Sequence, residues 1–255
     1  MNFSLNFDTV NIDQYLKMLV AEHHLGTNDY CMHDRNSDYW DILIAPAKNS
    51  DYKVALDFGT SLGRNVTNLS ELGNFQEIYA TDLSTKNIDK CTNSFPSNCH
   101  FVLSDGQKMP YFEDNKFDFI ISTLVFQHIP VRDLRNMWFK EIYRVLKPGG
   151  TFTFQMGFGK SLNERAFPNH FFCLMRTGTL TVPSALPCAS YFENITDATG
   201  SNGEYDVKVT NPVPLMDDLK RFGFKAEYQI KDAFDDYIHT QWIYVTCTKW
   251  ESLTL

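Results

Sequence analysis

The chain has 255 residues, a formal net charge of −8 and a sequence pI of about 5.3. That length holds one large α/β domain, or a core domain with a cap, and an acidic chain without a basic stripe argues against a nucleic-acid partner. No apolar run approaches the roughly 20 residues that span a bilayer, and the six cysteines are scattered without a Cys-x-x-Cys pair, so metal-ligand spacing is absent.

The amino-terminal MNFSLNFDTV has no basic leader region. The expectation is a cytoplasmic protein with free thiols. Residues 1–48 read as a helical cap. Ile12, Tyr15, Leu16 and Leu19 recur at helical spacing, and a second helix starts after Ser37 with Tyr39, Trp40, Leu43 and Ile44 on one face.

From residue 49 the pattern becomes strand–helix alternation. Lys53-Val-Ala-Leu-Asp-Phe-Gly reads as a buried strand, followed by a glycine-bearing turn and a helix over 64–72. Glu77-Ile-Tyr-Ala-Thr-Asp is a second strand, with a helix over 84–94. His100-Phe-Val-Leu-Ser-Asp is a third and Phe117-Asp-Phe-Ile-Ile-Ser-Thr a fourth. A helix over 131–146 carries Leu134, Trp138, Ile142 and Val145 on one stripe and stops at Lys147-Pro148-Gly149-Gly150. Thr151-Phe-Thr-Phe-Gln-Met is a fifth strand.

The alternation predicts right-handed crossovers and a mostly parallel sheet covered on both faces, in three layers. Residues 157–213, rich in Gly, Pro, Asn, Thr and Phe, break the rhythm and read as a lid-like insert. The core resumes over 214–255 with a helix over 215–222, then strands over 224–231 and 241–249 that fit an antiparallel connection.

Candidate ligand residues fall at successive strand ends. Asp57-Phe-Gly-Thr-Ser-Leu-Gly turns the first strand into the first helix of the alternation, where Gly59, Thr60, Ser61 and Gly63 let a ligand approach backbone N–H groups. Asp82, with Leu83, ends the second strand at the spacing of a ribose-binding carboxylate; the competing reading is a helix cap. Asp105-Gly106-Gln107 follows the third strand and can pair with a nucleobase edge, or can be a plain turn. Ser122 ends the fourth.

These motifs resemble those of the class I, Rossmann-like S-adenosylmethionine (SAM)-dependent methyltransferases. The resemblance is good over 53–156 and holds in outline over 215–249. Asp57 to Gly63 looks like the family's Asp-x-Gly-x-Gly-x-Gly, Asp82 like its ribose carboxylate, and Ser104-Asp-Gly like its adenine-side motif. Gln127-His-Ile-Pro and Glu141-Ile-Tyr-Arg-Val-Leu-Lys-Pro-Gly-Gly are similar to the stretch after its fourth strand. One departure is Ser61 in place of the middle glycine, which costs little if its φ stays negative.

The resemblance implies SAM as cofactor and transfer of its methyl group to O or N of a small-molecule acceptor, such as a sugar or other secondary metabolite. His128 is the candidate general base, with a loop-fixing role as the alternative. His33 (with Asp34 beside it), Tyr39, Tyr191 and His239 are candidate acceptor-side residues. Three alternatives stand beside this reading: a non-catalytic SAM-binding module, a methyltransferase for protein side chains, and an NAD-dependent oxidoreductase, whose Gly-x-Gly-x-x-Gly turn Gly59 and Gly63 fit poorly. The sequence leaves the oligomeric state open.

Overall fold

A computed structural model describes residues 38–106, 108–129, 132–158, 171–175, 178–182, 208–209, 211–232 and 241–250. Its elements run α1 (Asp38–Ile44), β1 (Val54–Phe58), α2 (Arg64–Leu72), β2 (Glu77–Asp82), α3 (Thr85–Thr92), β3 (Cys99–Leu103) and β4 (Phe117–Ser122). A 3₁₀ turn over Phe126–His128 leads to α4 (Arg132–Val145) and β5 (Leu146–Phe158). Then come β6 (Phe171–Met175), β7 (Gly178–Val182), β8 (Lys208–Val209), α5 (Pro212–Arg221), β9 (Phe224–Asp232) and β10 (Gln241–Lys249).

The main sheet has the order β3-β2-β1-β4-β5-β10-β9, with β8 also paired to β5. β1 through β5 pair in parallel, and β10 runs antiparallel to both of its neighbours. This is the expected three-layer α/β sheet, mostly parallel with a reversed last strand. The apolar strands dictate it, because each central strand has to bury both faces. On one face Leu56, Ile120, Phe152, Phe154, Ile243 and Val245 meet Trp138, Phe139 and Ile142 of α4 and Leu215 and Leu219 of α5. On the other, Ala55, Ile78, Phe119 and Ile121 meet Leu43 and Ile44 of α1 and Val66 and Leu69 of α2. The thiols of Cys91, Cys99 and Cys247 are free.

Most element ends shift by a residue or two, and three features depart further from the sequence reading, each for a local reason. β5 begins at Leu146, directly after α4, instead of at Thr151. Its partner β4 advances only from Phe117 to Phe119 while β5 advances from Leu146 to Thr151, so Lys147-Pro148-Gly149-Gly150 forms a bulge in the strand. A Cβ at Gly150 would lie 2.9 Å from the Lys147 carbonyl and 3.0 Å from that of Asp118, which explains the glycine. α5 starts at Pro212 instead of Leu215, because the Asn211 side chain accepts from Val213 N and proline suits the first helical turn. Finally, the insert contains structure that its composition concealed: β6 and β7 form an antiparallel hairpin, and β8 pairs in parallel with Gly157 and Phe158 of β5.

The place of β8 follows from the register. β10 holds one edge of β5 as far as Phe158, and β4 holds the other only as far as the Ser122–Phe154 pair. β8 therefore takes the β4 side of β5, just beyond the end of β4. Among the described residues no helix is long and apolar enough to cross a membrane. The predicted helix through Ile12 and Leu19, and the Ser37 cap, lie outside the described residues.

Candidate functional site

The carboxyl ends of β1, β2, β3 and β4 bring the candidate residues to one edge of the sheet. After β1 the backbone turns sharply, with Gly59 at φ 81°, Ser61 at 49° and Gly63 at 82°. Gly59 N and Thr60 N both donate to the Thr81 carbonyl at 2.9 Å, which pins the loop to β2. The two glycines are required by space as well as by φ. A Cβ on Gly59 would stand 2.2 Å from Val125 Cγ2, and one on Gly63 2.6 Å from the Phe95 ring. Ser61 does not keep the negative φ that would make it a cheap substitute for glycine. It takes the left-handed conformation that glycine would have taken, at a cost of about 1 kcal/mol for a residue with a Cβ. Its backbone N–H repays part of this by donating to Asp82 Oδ2 at 2.7 Å.

Asp82 ends β2, as expected. Its other oxygen accepts from Ser84 N at 2.8 Å, and Ser84, not Asp82, caps α3 by accepting from Asn87 N. Asp82 thus orders both loops that flank it. Leu83 beside it is half-buried. Asp105 lies two residues past β3, exposed, and accepts from Lys108 N at 3.1 Å. Gly106, at φ 80°, is buried and donates its N–H to Ser104 Oγ. Ser122 is buried and its hydroxyl donates to the Phe58 carbonyl at 2.9 Å, joining the ends of β1 and β4.

Asp57 is fully buried at the end of β1. Burial pushes its carboxyl up to about 6, against the opposing pull of the Asn65 and Thr60 side chains and of the Arg64 charge. Asn65 Nδ2 donates to Asp57 Oδ1 at 2.8 Å and to Thr123 Oγ1 at 2.9 Å. Of the eight buried side-chain oxygens without a hydrogen-bond partner among the described residues, Asp57 Oδ2, Thr60 Oγ1 and Thr81 Oγ1 surround the glycine loop.

Asn65, Thr123 and Val125 were not among the candidate residues. A polar residue inside an amphipathic helix carries no spacing signature, and neither do two residues in a loop. The loop after β4 also has Leu124 at φ 61°. Phe126 anchors it, with its ring centroid 5.6 Å from Phe58, 5.0 Å from Phe139 and 5.1 Å from Phe154. His128 ends the 3₁₀ turn that this anchor holds; its side chain lies outside the described residues, as does that of Tyr39 on α1. His33, Gln107, Tyr191 and His239 also lie outside them. Trp242 and Tyr244, at the start of β10, are buried on the α1 side of the sheet.

Two glycine cradles, a buried carboxyl with a free oxygen and an acidic strand end suit a cationic ligand bearing a ribose, and SAM is one. Residues 56–154 match a methyltransferase domain family. The chain is 35% identical over 116 residues to a malonyl-[acyl-carrier protein] O-methyltransferase of Marinomonas sp. (strain MWYL1), covering 44% of this chain and 40% of that protein. It is 29% identical over 136 residues to the ubiquinone/menaquinone biosynthesis C-methyltransferase UbiE of Rickettsia typhi (strain ATCC VR-144 / Wilmington), covering 53% and 51%. The chain thus spans about half or less of the length of these curated relatives.

Among solved structures, the fold is similar to that of the Burkholderia thailandensis 1,6-didemethyltoxoflavin-N1-methyltransferase with bound 1,6-didemethyltoxoflavin and S-adenosylhomocysteine. The TM-score is 0.64 at 15% identity, with 98% of this chain and 94% of that chain covered. Residues 56–154 thus match a methyltransferase domain family, and the fold that contains them is the class I, Rossmann-like sheet.

Proposed function

We propose that the chain transfers the methyl group of SAM to an oxygen or nitrogen of a small-molecule acceptor. The observation that carries this reading is the Asp57 carboxyl, buried beneath the glycine loop with one oxygen unpartnered. A buried acid is costly unless a cation or donor meets it, and SAM brings both. In this reading Asp57, Gly59, Thr60, Ser61 and Gly63 take the amino-acid end of the cofactor. Asp82 and Leu83 take the ribose, Asp105, Gly106 and Gln107 the adenine, and Ser122 braces the floor between β1 and β4.

The cofactor supplies an electrophilic methyl on a sulfonium. The protein's part is to hold the acceptor in line with it and keep water out. His128, at the end of the Phe126-anchored turn, is positioned by sequence to remove a proton from a hydroxyl acceptor. The 157–213 segment is the proposed lid, with 1–48 as a cap, and β8 returns the lid to the sheet beside the end of β4. A small-molecule acceptor is supported by the names of relatives that methylate small molecules and by the acidic balance of the chain.

Calorimetric titration with SAM and with S-adenosylhomocysteine tests the cofactor site, and both should bind. Failure of both at millimolar concentration overturns the reading. Methyl-labelled SAM, offered with hydroxyl- and amine-bearing small molecules and in parallel with protein substrates, tests the acceptor class. Label should enter the small-molecule fraction; label confined to protein assigns a side-chain acceptor instead.

A further inference from the structure

Resting on the cofactor site above, we propose that Asn65 is a positioning residue, which keeps the Asp57 carboxylate turned to the cofactor and ties it to the acceptor-side loop through Thr123. The geometry is a buried three-residue bridge. Asp57 closes β1, Asn65 lies in the first turn of α2, and Thr123 directly follows β4. Relative exposures are 0%, 3% and 7%, so nothing in this bridge is screened by bulk solvent. Both protons of one amide are used, one on Asp57 Oδ1 at 2.8 Å and one on Thr123 Oγ1 at 2.9 Å.

The bridge leaves the second Asp57 oxygen without a partner, while the first is held. A second contact joins the same two loops two residues further on, where Val125 fills the space left by the missing Cβ of Gly59. The cofactor loop and the acceptor-side loop are thus fixed to each other by one polar and one apolar contact. Asn65 belongs to the polar one, and it has a property the apolar one lacks. Its N–H favours the charged form of Asp57 over the neutral form. The other groups felt by Asp57 are the Thr60 hydroxyl of the glycine loop and Arg64 of α2, which favour the carboxylate, and Asp82 of β2, which opposes it. The Cys91 thiol of α3 also couples to it but is pushed up to about 12, chiefly by burial, and stays neutral.

The test is the affinity for S-adenosylhomocysteine, measured by calorimetry from about pH 5 to 8, across the range where a carboxyl raised by burial titrates. The natural chain should lose affinity as pH falls through about 6, because protonation removes the Asp57 charge. In Asn65→Ala the midpoint of that loss should move up by about one pH unit, since a hydrogen bond to the charged form has gone. Asn65→Ser, which keeps a hydroxyl donor, should fall between the two. Asp57→Asn should bind weakly with no such transition, and Thr123→Val should keep the natural midpoint because Asp57 retains its donor.

A uniform weakening in Asn65→Ala with an unmoved midpoint overturns the proposal and leaves Asn65 a packing residue. If Asn65→Ala does not fold, Asn65→Leu, which keeps the bulk and has no donor, takes its place, and an unmoved midpoint there overturns the proposal equally. A natural chain that binds no S-adenosylhomocysteine at any pH overturns the cofactor site itself, and this proposal with it.

Discussion

Asp57 and Ser61 each carry a cost in stability where β1 turns into α2. Lifting the Asp57 carboxyl from its ordinary 3.8 to about 6 in the fold means that the folded chain holds that proton more tightly than the unfolded one. The associated stability is present below pH 3.8 and lost as pH rises through about 6, roughly 3 kcal/mol in all. Asp57→Asn should therefore stabilise the ligand-free chain at neutral pH by up to about that amount and give little gain near pH 4, as read by urea denaturation at the two pH values. Ser61 is a different case. Its left-handed φ costs about 1 kcal/mol, but glycine there would regain a similar freedom when unfolded, so Ser61→Gly should leave the melting temperature nearly unchanged. It should also keep S-adenosylhomocysteine binding, because the bond to Asp82 comes from the backbone N–H. Ser61→Pro removes that N–H and forbids the φ, so it should lose binding and stability together.

The strand and helix contacts explain why the elements were readable and where they were not. The ranges of α2, β2 and β10 agree with the sequence reading residue for residue; in α2 the apolar period runs to a glycine, and in β2 to an aspartate. The bulge in β5 was not readable, since Pro148 and two glycines look alike whether they end a helix or interrupt a strand. It is held by Asp118, whose carboxylate takes Lys147 Nζ at 2.7 Å and the backbone N–H groups of Lys53 and Val54. The site divides in the same way. Asp57, Gly59, Gly63 and Asp82 stood out because strand ends have a fixed spacing, whereas Asn65, Thr123 and Val125 gain meaning only when α2 and the loop after β4 are placed side by side. That pairing is testable. Gly59→Ala drives a Cβ into Val125 at a positive φ; it should lower stability by at least about 1 kcal/mol and abolish cofactor binding. Adding Val125→Ala should recover part of the stability, because it relieves the clash but not the φ. Equal melting temperatures for the single and double variants would show that the two loops are not in contact.

For the molecule as a whole, the sheet is the rigid platform and the 157–213 segment is the part proposed to choose the acceptor. The segment leaves from the end of β5 and returns through β8 to the same strand, so its two ends lie close together and a short connection can replace what lies between them. Replacing 159–207 with a Gly-Ser linker should leave S-adenosylhomocysteine affinity within about threefold, the scatter expected for a change outside the cofactor site, while methyl transfer to the acceptor is lost. Retained transfer would place acceptor recognition elsewhere, in 1–48 or at the start of β10.

The reversed strand also sets an order of events during synthesis. Among the described strands β9 pairs with β10 alone, and β5 keeps an open edge until β10 arrives. Lys249 completes the insertion, its ammonium donating to the carbonyls of Tyr143 and Leu146 and to Asn115 Oδ1 where α4 gives way to β5. A ribosome that has made everything up to β9 therefore holds a sheet with one unpaired interior edge and a strand that has nowhere to dock. Closure has to wait until residue 249 clears the exit tunnel. The nascent chain is exposed to edge-to-edge pairing with its neighbours for that interval, and a chain that stalls late in translation is the form most prone to aggregate.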